Sequence, residues 1–209
     1  MAVLGGLFDP VHKGHVSAAR LALELLGLEQ LKMIPCHLPN HKAVPATPAD
    51  HRLAMLELAT ASCSSIEVDP IELLKDRVSY TVDTLCELKQ NNSPLVFVLG
   101  VDSFNSLPEW HDWRRVLELS HLLVVSRHGT EFSRQTLNSV EFDQRNVETA
   151  EQLLSSESGK ILICEDFDVD TASSEIREKL MRGEDVSSEL DVEVMRYISD
   201  NGLYRNKQS

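Results

Sequence analysis

Along this chain, short apolar runs alternate with longer stretches in which apolar residues recur at helical spacing. Residues 3–5, 31–35, 66–68, 95–99, 122–126 and 160–164 read as strands, each too short for a helix and bounded by turn-forming or polar residues. Between them, residues 14–26, 48–61, 81–90 and 110–119 read as helices. In the first, Val16, Ala19, Leu21, Leu23 and Leu26 supply the apolar repeat. Strands that are apolar almost throughout, alternating with helices, predict a parallel sheet covered on both faces: a doubly wound, Rossmann-like α/β fold. Two further helices, 174–182 and about 188–201, predict a C-terminal helical segment within 173–209, with Gly202 as its stop. Thr47 is the expected cap of the second helix with Pro48 at its first position, and Ser173 or Ser174 the expected cap of the helix that follows them.

The stretch 129–159 breaks this rhythm. It is polar and serine-rich, with helical periodicity only over 147–154, and reads as an excursion from the sheet. A single domain over 1–209 is therefore expected, and 209 residues are ample for a sizeable core. Lys and Arg number 20 against 33 Asp and Glu, a net charge of −13, which argues against nucleic-acid or anionic-membrane partners. A large anionic ligand would need a local pocket of donors. Cys36, Cys63, Cys86 and Cys164 are scattered beside apolar runs with no C-x-x-C pair, so buried free thiols are expected, without a disulfide framework or zinc site. No apolar stretch approaches a membrane span and no basic-flanked leader opens the chain, so the cytoplasm is the expected location.

The chemistry concentrates behind the first strand. Gly5-Gly6-Leu7-Phe8-Asp9-Pro10 is followed by His12-Lys13-Gly14-His15, at the start of the first helix. The glycines permit close approach of a ligand to the backbone. His15 falls on the first helical turn, where unpaired N–H groups and the positive dipole end gather. Three positions apart, His12 and His15 can face one pocket and donate to one anion. Open parallel sheets bind ligands at the carboxyl ends of their strands, where the strand order reverses. The other candidates fall there too: His41 and Lys42 after the second strand, Gly100 and Asp102 after the fourth, Arg127 after the fifth, Arg177 after the last. Taken singly, Asp102 reads equally as a turn or cap residue and Lys42 as part of an exposed basic loop, while Trp110 reads first as a core or rim aromatic, Ser79-Tyr80-Thr81 as a helix cap and its first turn, and Asp9 as an Asp-Pro turn before a group orienting magnesium through water.

The longer string G-G-x-F-D-P-x-H-x-G-H resembles the signature of the nucleotidylyltransferases, which use its two histidines on the phosphates of a nucleoside triphosphate. Ser173-Ser174-Glu175-Ile176-Arg177 is similar to their second signature, I-S-S-T-x-I-R, with Ala172 where a serine is common and Ser174 where a threonine is common; Leu7 likewise replaces a threonine or serine. Ser79-Tyr80-Thr81-Val82-Asp83-Thr84-Leu85, Gly100-Val101-Asp102-Ser103, Trp110-His111-Asp112-Trp113 and the terminal Gly202-Leu203-Tyr204 together resemble the nicotinate mononucleotide adenylyltransferases over nearly the whole chain. The resemblance implies transfer of the adenylyl group of ATP to nicotinate mononucleotide, releasing pyrophosphate. It implies His12, His15 and Arg177 as catalytic residues, with Gly5, Gly6, Phe8, Lys42, Gly100, Asp102, Arg127, Ser173 and Ser174 joining them around ATP. Trp110 would stack on the pyridine ring, and backbone amides at Thr81 and His111 would hold its carboxylate. Magnesium is the expected cofactor, carried mainly by the ATP phosphates and without a protein metal site. Nicotinamide mononucleotide or phosphopantetheine as acceptor, and a nucleotide-binding regulator without catalysis, are the alternative readings. The oligomeric state, a homo-oligomer included, stays open.

Overall fold

A computed structural model describes residues 1–38, 45–75, 78–89, 94–126, 129–165, 167 and 171–205. Strand β1 (Ala2–Gly6) leads through a turn into α1 (Lys13–Leu26), and β2 (Leu31–Pro35), α2 (Ala49–Thr60) and β3 (Ile66–Val68) complete the first half. The second half runs α3 (Thr81–Leu88), β4 (Val96–Gly100), α4 (Val101–Asn105), a 3₁₀ turn (Leu107–Glu109), α5 (Trp113–Leu119) and β5 (His121–Val125). Next come α6 (Arg134–Ser139), α7 (Phe142–Arg145), β6 (Asn146–Val147), α8 (Ala150–Leu154), β7 (Ile161–Cys164), α9 (Ser173–Arg182) and α10 (Val192–Asp200). All the strands pair in parallel in the order β3-β2-β1-β4-β5-β7-β6, the doubly wound α/β sheet the alternation predicts.

Side chains alternate along the strands, and both faces are covered. Leu4, Met33, Val98 and Leu123 pack on one side with Ala19, Leu23, Leu56 and Val194. Val3, Ile34, Phe97, Leu99 and Val124 pack on the other with Leu85, Phe104, Trp110 and Val116. The strand order reverses between β1 and β4. There β1 pairs with β2 as far as Gly6↔Pro35 but with β4 only as far as Leu4↔Val98, so the two central strands part before their carboxyl ends. A cleft opens at this switch point.

Several expectations shift. The 129–159 stretch carries three short helices and strand β6, which pairs with β7; Val147 belongs to that strand, and α8 starts later, capped by the Thr149 hydroxyl. Two residues of strand leave no periodicity to read. The cap of α2 is Pro48, one residue beyond Thr47. Ala172 caps α9, and Ser173 and Ser174 lie inside the helix, because the Ser173 hydroxyl donates instead to the Pro10 carbonyl, 3.0 Å away. α5 begins at Trp113 after a left-handed Asp112, so Trp110 sits at the end of the 3₁₀ turn. The last helix starts at Val192, capped by Asp191. The cysteines are free, but only Cys63 is buried; Cys36 and Cys164 are partly exposed and Cys86 is exposed. Among the described residues no helix is long and apolar enough to cross a membrane.

Candidate active site

The cleft holds a cavity of about 700 Å³. Gly5 and Gly6 of β1, His12 and His15 of the following turn, Gly100 and Asp102 at the end of β4, Ser126 after β5 and the first turn of α9 face into it. Residues far apart in sequence meet there because each follows a strand of one parallel sheet. Gly6 is required by close packing: a Cβ built there would lie 2.9 Å from the Phe8 ring. Phe8 itself adopts a left-handed backbone (φ 52°), an uncommon state for a bulky residue. That turn buries its ring and sets it edge-on to His15, with centroids 5.0 Å apart.

His12 and His15 stack, their ring centroids 3.7 Å apart and their planes 28° from parallel. The His12 backbone N–H donates to Nδ1 of His15 at 3.2 Å, so a neutral His15 carries its proton on Nε2 and that nitrogen is a donor. His12 is buried, and among the described residues its Nδ1 has no hydrogen-bond partner. Burial pushes its pKa down to about 4, so at neutral pH it is an uncharged imidazole with an unused polar atom at the edge of an anion-sized cavity.

The first turn of α9 closes the opposite wall. Ala172 supplies no side-chain acceptor, which leaves backbone N–H groups of the helix start for a ligand. Arg177 Nη1 donates to the Asp9 carbonyl at 2.6 Å, which anchors one arm of the guanidinium while its fork lines the cavity. Asp9 is more than a turn residue. Its carboxylate is buried and accepts from the Ala46 N–H at 2.7 Å and the Tyr204 hydroxyl at 2.6 Å. Burial and the Asp9 bond keep the Tyr204 phenol protonated far above its ordinary range.

A smaller cavity of about 80 Å³ adjoins, sharing Gly5, Gly6, Leu7 and Ser103 with the large one. Trp110, Phe97, Thr81 and Glu72 are among its walls. Trp110 Nε1 donates to the Ser106 hydroxyl at 3.3 Å, and Phe97 meets it edge-on, so the indole is fixed from two sides. His111 lines neither cavity; its exposed ring lies against Tyr80, centroids 4.4 Å apart. His41, Lys42 and Arg127 lie outside the described residues. Lys13, also next to the glycine turn, points away and donates to the Ser187 carbonyl at 2.8 Å.

Sequence reasoning misses Arg52. It is almost wholly buried, and its guanidinium donates to the carbonyls of Leu7 and Cys36 at 2.7 Å, His37 at 3.1 Å and Thr47 at 3.2 Å. It thus ties the loops after β1 and β2 to the start of α2. Arg52 shares the buried face of α2 with Met55 and Leu56, and an arginine in phase with an apolar stripe is the clue that marks it.

The chain belongs to the cytidylyltransferase-like family, whose sequence profile matches residues 3–188. It is 36% identical to a protein of Aeromonas salmonicida named "Probable nicotinate-nucleotide adenylyltransferase", covering 98% of this chain and 97% of that one. A protein of the same name from Hahella chejuensis is 36% identical, covering 98% and 95%. Among solved structures, the fold resembles nicotinic acid mononucleotide adenylyltransferase of Plasmodium falciparum complexed with NaAD, with a TM-score of 0.75 at 18% identity over 97% of this chain and 96% of that one.

Proposed function

We propose that this protein transfers the adenylyl group of ATP to nicotinate mononucleotide, forming nicotinate adenine dinucleotide and pyrophosphate. One observation carries this reading: a large cavity lined by imidazoles, the start of a helix and an arginine shares Gly5 and Gly6 with a small slot walled by a fixed indole. The first suits a triphosphate and its nucleoside, the second a flat ring. Their junction is where the two reactants would meet.

A 5′-phosphate oxygen of the mononucleotide attacks the α-phosphorus of ATP in line. A new P–O bond forms as the bond from the α-phosphorus to the bridging oxygen breaks, and that oxygen leaves with pyrophosphate. The attacking phosphate is already ionised at neutral pH and needs no base. The protein's task is to bring two polyanions together and stabilise charge on non-bridging oxygens. His15 donates from Nε2, His12 from its buried edge, and Arg177 with the start of α9 holds the departing phosphates. Asp102, exposed on the first turn of α4 and lining the large cavity, would accept from ribose hydroxyls.

Among the described residues no group of three His, Cys, Asp or Glu side chains is gathered to hold a metal ion. Both Asp9 carboxylate oxygens are already occupied by protein donors. In this reading a magnesium ion would arrive on the phosphates, held by their oxygens and water. When bound, it neutralises charge on the leaving pyrophosphate. A cytoplasmic location accords with these soluble substrates.

The test is pyrophosphate release from ATP and magnesium with nicotinate mononucleotide, nicotinamide mononucleotide or phosphopantetheine as acceptor. The reading expects the highest kcat/KM with nicotinate mononucleotide. Turnover confined to another acceptor overturns it, and tight ATP binding without product from any acceptor indicates a regulator.

A further inference from the structure

Glu72 has no role in the reaction so far, yet it lines the slot beside Trp110. Only 9% of it is exposed, and one carboxylate oxygen accepts a hydrogen bond from the Thr84 hydroxyl at 2.7 Å. No described cation pairs with it. Lys75, three residues on, is paired with Glu87, and the guanidinium of Arg52 directs its hydrogen bonds to four backbone carbonyls, keeping its charge but making no ion pair with Glu72 among the described contacts. The carboxylate acts on its surroundings: together with burial it pushes the Cys36 thiol, on the same cavity wall, up to about 12. A buried carboxylate without a cation is costly, and the neutral Thr84 hydroxyl and Cys36 thiol offset little of that cost. Among the described residues nothing balances this charge, which points to the occupant of the slot.

We propose that Glu72 is the counter-charge for a cationic aromatic ring, the N-ribosylated pyridinium of the mononucleotide, and so determines specificity for that charge state. The inference rests on the reading that the slot takes the mononucleotide. A pyridinium bonded to ribose through its nitrogen carries a full positive charge at any pH. In the slot it lies between a carboxylate and an indole face, both of which favour a cation. The same carboxylate repels the one on the nicotinate ring, so Glu72 also fixes which edge of the ring faces it. A neutral ring of the same shape gains nothing from Glu72 and leaves its charge uncompensated.

Calorimetric titration of the whole protein with nicotinate mononucleotide and with its reduced dihydropyridine form tests this. Both ligands carry the same ribose, phosphate and ring carboxylate, but the reduced ring is neutral. The wild type should bind the cationic form at least about tenfold more tightly, a difference of about 1.4 kcal/mol. Glu72→Gln should remove about tenfold of that preference by weakening the cationic form alone, and Glu72→Asp should retain part of it. A merely structural Glu72 would weaken both ligands alike, and that result, or an unchanged ratio in Glu72→Gln, overturns the proposal. Equal affinities in the wild type overturn it without any variant. If the wild type binds neither ligand, the mononucleotide reading of the slot fails, and this proposal with it.

Discussion

His12 gives the cleanest quantitative test of the site, because its burial has a thermodynamic consequence whether or not substrate is present. In the folded protein the imidazole titrates near pH 4, against an ordinary value of 6.5, because charging it means desolvating a cation in the protein. Between those two values the unfolded chain binds a proton that the folded chain refuses. Acid therefore favours unfolding: the contribution is whole above about pH 6.5 and is lost as the pH falls toward 4. The gap corresponds to about 3 kcal/mol, a sizeable share of the stability of an ordinary domain. Urea unfolding at a series of pH values from 7.5 to 4.5 would read it, with His12→Gln as the non-titrating control. Carboxylates titrate in the same window in both proteins, so the informative quantity is the difference between them. Relative to the variant, the wild type should lose about 2–3 kcal/mol across the range. Parallel stability curves would show that His12 is not buried as a neutral imidazole and would remove the argument for its electrostatic role.

The remaining predictions concern groups around it. His15→Ala should lower kcat by about 10²–10³, as expected for loss of one oxyanion-type donor, with far less change in KM for ATP; steady-state pyrophosphate release measures both, and near-normal kcat rejects the role. Arg52→Met should destabilise the fold by about 3 kcal/mol or more in urea unfolding, since it strips donors from four carbonyls, and a change below about 1 kcal/mol would mean that other donors satisfy them. Tyr204→Phe removes one donor from the buried Asp9 carboxylate and should cost about 1.5–3 kcal/mol in thermal or urea unfolding; no measurable loss would count against the Asp9 junction as a structural tie.

Much of this was legible because the strands are apolar throughout and the catalytic candidates follow them. The six strands expected from apolar runs lie within a residue of their observed ends, and ten of the positions assigned to ATP line one cavity. What escaped has physical reasons. β6 is two residues long and α4 five, too short for either periodicity to show. Ser173 looks like a cap by type, but a hydroxyl can serve either the helix start or a carbonyl brought near by tertiary packing, and here Pro10 wins. The His111 ring lies against Tyr80, a side-chain placement that the expected role of its backbone amide does not address. Arg52 and the Asp9 carboxylate do their work through backbone groups of distant loops, which no spacing in the sequence records.

The arrangement also explains how a chain of net charge −13 can receive two polyanions. A cluster of lysines would hold phosphates strongly but loosely in direction, and would bind substrate as well as transition state. Here the donors are directional: a neutral imidazole with a fixed tautomer, a second imidazole stacked on it, the uncapped start of α9 and one arginine fork. Their mutual placement is not left to each element alone. Arg177 and Ser173 of α9 donate to the carbonyls of Asp9 and Pro10, and the Asp9 carboxylate holds the loop at Ala46 and the C-terminal Tyr204. The wall proposed to grip the outer phosphates is thus bolted to the turn that carries the histidines. Displacing α9 would break these bonds, whose donors and acceptors are partly buried, so the two halves of the grip move together or not at all. Preorganisation of that kind lets uncharged donors count at a site where charge develops, because no reorientation is needed as the reaction proceeds.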